Sequence, residues 1–235
     1  RQAPRLSLSL PGPLGLEQLR ARPAPGSFSK PAGLPRLSRE DIGHLADGKI
    51  VQRQTRDGVT GNGFVVMDLE ASPETVWSLL LDFERYPEMI STVRSAALRP
   101  GSTLERARAT FVLSKFLLEV NVVHQFDRRR QQLRFCLDSA SQNFVMKQAD
   151  GFWYVETPDV AEGLKPGHVR IWFGASIRVS RIVPRWVTDY AAQRALRRAT
   201  AWLRPTITEA EKASLDSVGV QQSTTAAPRE GPEDL

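Results

Sequence analysis

Residues 64–90, FVVMDLEASPETVWSLLLDFERYPEMI, constrain the chain more than any other stretch. Phe64 to Leu69 is apolar and β-branched, as a partly buried strand requires. Ser72 can accept a hydrogen bond from a free amide of a first helical turn, and Pro73 at the first helical position gives up only an amide that had no partner. Glu74 adds negative charge near the positive end of the helix dipole. Val76, Leu79, Leu80 and Phe83 recur at helical spacing and define a buried face. Asp82 is placed to cap a second helical turn, and Pro87 sets the bend after Tyr86. A strand, a capped helix and a second short helix follow from these residues alone.

What comes next alternates with period 2. In 104–113, Ala107, Ala109, Phe111 and Leu113 share one face. In 116–126 the set Phe116, Leu118, Val120, Val122 opposes Glu119, Asn121 and Gln125, and in 132–138 Leu133, Phe135 and Leu137 oppose Arg134 and Cys136. Residues 168–181 set Val169, Ile171, Phe173, Ala175, Ile177 and Val179 against Arg170, Trp172, Ser176 and Arg178. One apolar and one polar face predict an antiparallel sheet with a solvated side. Turns are expected at Asp57-Gly58, at Gly61-Asn62-Gly63 and at Asp150-Gly151, the last dividing 142–149 from 151–156 as two strands. A short helix over 38–46 and a strand over 49–55 precede the sheet proper. Pro184 opens a long helix expected to end at Leu203, before Pro205. Its inward stripe is Val187, Ala191, Ala195, Ala199 and Trp202. Small residues there either leave volume between helix and sheet or permit close packing.

The ends differ in composition from the middle. Residues 1–40 are rich in Pro and Gly and carry a net charge of +5, while 205–235 carry −4, leaving +5 on 41–204. The reading is therefore a basic arm (1–40), one domain (41–204) and an acidic tail (205–235). The arm's basic, acid-poor, Ser-containing composition resembles an organellar transit region, with chloroplast favoured over mitochondrion. One cysteine, Cys136, excludes an internal disulfide and a cysteine-based zinc cluster. No apolar run approaches the ~20 residues of a transmembrane helix.

The segments ASPETVWSLLLDFERYPEMI (71–90) and VPRWVTDYAAQRALRRATAWLR (183–204), in this order of elements, resemble the polyketide cyclase/dehydrase group of the START-like (SRPBCC) superfamily, which includes coenzyme Q-binding proteins. The resemblance covers roughly 49–204. It implies an α+β helix-grip fold, a curved antiparallel sheet wrapped around one long C-terminal helix with two short helices at its mouth. It also implies an apolar cavity beneath that helix. The residues then expected to line it are Trp77, Tyr86, Met89, Ile90, Phe111, Phe135, Phe173, Val187, Ala191 and Ala195, with Phe83, Tyr86, Met89 and Ile90 as gate residues.

Catalytic constellations are absent from the sequence. His44, His124 and His168 lack ligand-like spacing, so no metal site is expected, and no phosphate loop, nucleophile elbow or HExxH occurs. His124 reads as a strand-edge or cavity-rim histidine. Glu119, Asn121 and Gln148 enter a cavity or face solvent according to strand register. The Arg128–Arg130 and Arg194/Arg197/Arg198 clusters lack the interleaved aromatics of a nucleic-acid surface and suit an acidic protein or anionic lipid better. The function expected is a non-catalytic binding or carrier module for a hydrophobic molecule (lipid, quinone, isoprenoid or pigment-like), with no cofactor beyond such a bound molecule. The alternatives are an accessory subunit of an organellar photosynthetic or respiratory membrane complex, docked through its arms, and an aromatase/cyclase acting on a polyketide.

Overall fold

The structure is a computed structural model, and it describes residues 34–113, 118–139, 144–182 and 196–224, with side chains as far as 214. The arm up to residue 33, the stripe residues Val187, Ala191 and Ala195, and the last eleven residues of the tail lie outside the described residues. The elements in order are α1 (Arg39–Ala46), β1 (Val51–Asp57), β2 (Thr60–Glu70), α2 (Pro73–Leu80), a 3-10 turn (Phe83–Arg85), α3 (Tyr86–Met89), β3 (Val93–Leu98), β4 (Arg106–Leu113), β5 (Leu118–Asp127), β6 (Gln132–Leu137), β7 (Met146–Glu156), β8 (His168–Val179) and α4 (Leu203–Thr224). The eight strands form one antiparallel sheet in the order β1-β2-β8-β7-β6-β5-β4-β3. This is the helix-grip α+β architecture expected from the sequence.

The first helices form for local reasons. Ser38 Oγ accepts from Asp41 N–H, and the Asp41 carboxylate accepts from Ser38 N–H, closing a capping box at α1. Ser72 caps α2 through Thr75 N–H, with Pro73 in the first turn. Asp82 does not cap the next turn, since its side chain makes no capping bond there. It is half-buried, and burial raises its pKa above the ordinary carboxylate value.

Two expected turns are strand instead. Gly61-Asn62-Gly63 lies inside β2, where a Cβ on Gly63 would stand 2.4 Å from Leu196 Cδ1 and 2.8 Å from the Arg53 carbonyl. Asp150-Gly151 lies inside a continuous β7, because the Phe135 ring fills the space above Gly151. A Cβ there would be 2.4 Å from Phe135 Cζ and 2.2 Å from the Gly174 carbonyl oxygen. Both glycines admit a neighbour rather than reverse the chain.

The sheet has two apolar faces at one side. Its concave face packs α2, the 3-10 turn, α3 and the C-terminal helical residues into the main core, which includes Val76, Leu80, Phe83, Met67, Ile171 and Ile207. On the convex face Leu34, Leu37 and Leu45 cover Val51, Phe64, Val66, Phe152, Tyr154 and Trp172. The polar side expected along β8 is therefore buried at Arg170 and Trp172 and solvated only toward Arg178. Trp172 is fully buried and donates Nε1–H to Glu156 Oε2 at 2.9 Å. Arg170, 2% exposed, makes a bidentate pair with Asp68 at 2.8 and 2.9 Å and donates to the Glu162 carbonyl. Leu34 and Leu37, read as part of the arm, thus pack on the sheet.

Helical structure also continues beyond Leu203, the expected end of the last helix. Residues 196–200 are helical, a turn intervenes at 201–202, and α4 then runs on past Pro205. Pro205 falls in the first turn of α4, where the missing amide would have had no partner. Ile207 is fully buried, and Glu211 Oε1 accepts from Ser72 N–H, so the stretch read as an acidic tail closes the N-terminus of α2.

Candidate functional site

The pairing Ala107↔His124↔Phe135↔Gly151↔Ala175 runs across β4, β5, β6, β7 and β8 on the concave face. Small residues occupy three of these five places and aromatic rings the other two. Further rings extend the row into an arc. Trp202 lies 5.9 Å from Tyr86, and Tyr86 is nearly parallel to Phe111 at 5.7 Å. Phe83 meets Tyr86 edge-on at 5.6 Å and covers His124 at 4.2 Å. His124 reaches Phe135 at 6.3 Å, Phe135 is nearly parallel to Phe173 at 6.1 Å, and Phe173 meets Trp153 at 4.3 Å. Such offset and edge contacts are favourable ring geometries.

The residues expected to line a cavity fall on this face in different roles. Tyr86, Phe111, Phe135 and Phe173 are members of the arc. Met89 and Ile90 are half-buried at its margin, packed on the same core. Trp77 sits deeper, against Phe126 at 4.7 Å, with its Nε1–H donated to Gln131 Oε1. Gln131 holds a positive φ of 49° in the β5–β6 turn, which aims its amide at that indole. Val187, Ala191 and Ala195 are outside the described residues; Leu196, Ala199 and Trp202 pack on the concave face.

Polar groups are few there. Tyr86 Oη donates to the Leu80 carbonyl at 2.7 Å, and burial first, then the Asp82 carboxylate, raises the phenol's pKa. His124 is 6% exposed, and its Nδ1 has no hydrogen-bond partner. Burial among rings drives its pKa down to about 3, so the imidazole is neutral at physiological pH. A neutral imidazole without a partner offers one donor and one acceptor to whatever lies beside it. His124 is thus an interior residue, not one at a strand edge or rim. The signal for it was available, because it shares the parity of Val122 and Phe126. Glu119 is exposed, Asn121 accepts from Thr110 Oγ1, and Gln148 donates to Asp150; all three lie off the concave face. Among the described residues no group of acidic, His or Cys side chains could hold a metal ion, and no helix is long and apolar enough to cross a membrane.

A second, polar cleft of about 950 Å³ lies between the end of α1, the start of α2 and the start of α4. Two of its bases are engaged: Lys165 donates to the Ala46 carbonyl and Arg204 to that of Gly48, tying α1 to the β7–β8 loop and to α4.

A curved antiparallel sheet gripping C-terminal helical residues, with rings lining the concave face, defines a helix-grip protein. Residues 69–155 match the family described as polyketide cyclase / dehydrase and lipid transport. Among solved structures, the chain resembles the Zhui aromatase/cyclase of a Streptomyces species, at 12% identity and a TM-score of 0.54 over 65% of this chain and 94% of that one. It also resembles a STAR-related lipid transfer protein from Xanthomonas axonopodis, at 13% identity and a TM-score of 0.54 over 69% and 92%. At these identities the likeness concerns the fold. No curated protein matches the chain.

Proposed function

We propose that the domain is a non-catalytic binding or carrier module for a hydrophobic, ring-bearing molecule such as a quinone, isoprenoid, lipid or pigment-like compound. The observation that carries this reading is the concave aromatic arc with the partnerless His124 Nδ1 at its middle. Rings supply flat apolar contact, and a single imidazole suits a ligand with one polar group, since a buried polar atom left without a bond costs about 1–3 kcal/mol. Lipid-transfer and aromatase/cyclase proteins of the same fold are consistent with a hydrophobic cargo.

Native mass spectrometry after gentle purification tests this, together with quenching of Trp77, Trp153 and Trp202 emission by a short-chain quinone. Saturable quenching at equal stoichiometry supports the reading; no apolar adduct and no quenching refute it. The aromatase/cyclase alternative calls for a second polar group bonded to His124, and none occurs among the described residues. The organellar and complex-subunit readings rest on the composition of the arm, and import of a fluorescent fusion carrying residues 1–40 tests the address.

A further inference from the structure

The strand ends of this sheet are unequal in chemistry. At one end β8 finishes and β7 begins side by side: Met146 pairs with Val179, and Ser180 N–H donates to the Val145 carbonyl at 2.8 Å. This bond fixes two short chain segments together, and both present apolar side chains outward. Phe144 is 74% exposed, Val145 38% and Ile182 76%. With Ile50 they are the large hydrophobic residues most exposed among those described. Scattered single hydrophobics on a surface are ordinary; three held on one hydrogen-bonded corner are not.

Bases surround this corner. Lys147 Nζ lies 5.8 Å from the centre of the Phe144 ring, and Arg178 and Arg181 shortly precede Ile182 in sequence, all three exposed. The same end carries Arg56 and Arg94, against the carboxylates Asp57, Glu119, Asp150 and Asp138, the last bridged by Arg99 at 3.2 Å. Positive charge is in excess there. Val93 pairs with Leu113, so α3 with Met89 and Ile90 reaches the same end.

We infer that this corner docks on an anionic lipid surface, with Phe144, Val145 and Ile182 entering the headgroup layer and Lys147, Arg178 and Arg181 facing lipid phosphates. Apolar tips ringed by bases are the composition of an interfacial anchor. The exposed apolar area is roughly 300 Å², well below the about 800 Å² that each partner gives to a standard protein interface. The inference stands on surface residues and does not depend on the ligand reading; a protein that binds vesicles but no quinone would refute only the latter.

The test is co-sedimentation of the full chain with phosphatidylcholine vesicles, with and without 30 mol% phosphatidylglycerol, in low and high salt. Wild type is expected to partition at least about tenfold better onto the anionic vesicles, and to be released by 0.5 M salt. Lys147→Glu/Arg181→Glu is expected to weaken partitioning at least about 25-fold, some fivefold for each charge removed. Phe144→Ser/Ile182→Ser should weaken it comparably, with circular dichroism and quinone quenching unchanged in both variants. The inference is overturned if wild type stays in the supernatant, or if either double variant sediments as wild type does. It is equally overturned if light scattering gives a wild-type dimer that Phe144→Ser/Ile182→Ser converts to monomer, because the corner then belongs to a second copy of the chain.

Discussion

Acid is expected to weaken this protein through His124, and the size of the effect follows from where that ring sits. In the folded state the imidazole is buried among Phe83, Phe111 and Phe135, which lowers its pKa to about 3. In the unfolded chain it returns to about 6.5. Between those values the unfolded state binds a proton that the folded state refuses. Stability is therefore fully present above pH 6.5 and falls as the pH drops toward 3, by about 1.4 kcal/mol per unit. At pH 4.5 the loss reaches about 2.7 kcal/mol, a large share of a typical domain's 5–15 kcal/mol. Asp82 acts in the opposite sense, since burial raises its pKa and makes the folded state the better proton acceptor. Comparison with His124→Phe cancels such shared contributions. Urea unfolding of both proteins at pH 7.5, 6.0, 5.0 and 4.5 is the assay. The variant is expected to match or exceed wild type at pH 7.5, because it removes a buried nitrogen without a partner. The stability gap should then widen by about 2–3 kcal/mol by pH 4.5. Parallel stability curves for the two proteins would refute the reasoning, since they would mean that His124 gains a proton in the folded state as easily as in the unfolded chain.

Other perturbations separate local from long-range contributions. Asp68→Ala leaves Arg170 charged, buried and without its carboxylate, and should cost about 3–5 kcal/mol in urea unfolding. Gly151→Ala sets a methyl group against the Phe135 ring and the Gly174 carbonyl; a thermal midpoint lower by several degrees is expected, and an unchanged midpoint would contradict the packing. Ser72→Ala should cost about 1 kcal/mol by loss of the α2 cap, read from the denaturation midpoint at constant slope. Truncation before Glu211 should destabilise the domain although it removes only residues that the sequence reads as a tail, because the bond to Ser72 is lost.

How far the sequence could be read depended on the distance between a residue and the cause of its conformation. The caps at Ser38 and Ser72 act within three residues, and both helices were readable. Period-2 parity put Phe111, Phe135 and Phe173 on the concave face, since a strand's two sides are determined by neighbours in sequence. The same parity held His124, but a histidine in an apolar row carries no sign of whether it ends at a rim or under a ring. Asp150-Gly151 has the composition of a turn, and the ring that makes it strand belongs to Phe135, one strand away. Gly63 is explained by Leu196, more than a hundred residues on. The burial of Trp172 likewise depends on Leu34, Leu37 and Leu45, which lie far upstream and pack on what alternation alone marks as a solvated face.

The unequal cover of the sheet has a consequence for how the molecule breathes. Strands β2, β7 and β8 are clamped from both sides, by the concave core and by the leucines of the N-terminal segment. Strand β3 pairs only with β4, and half of its six residues are exposed. Local opening is cheapest where buried contacts are fewest. Of the two edge strands β1 is the more exposed, but β3, with the short helices leaning on it that carry Tyr86, Met89 and Ile90, is the one that borders the aromatic interior. The clamped strands behave as a fixed back wall and β3 as a leaf hinged upon it, so the aromatic interior can be reached without unfolding the wall that shapes it.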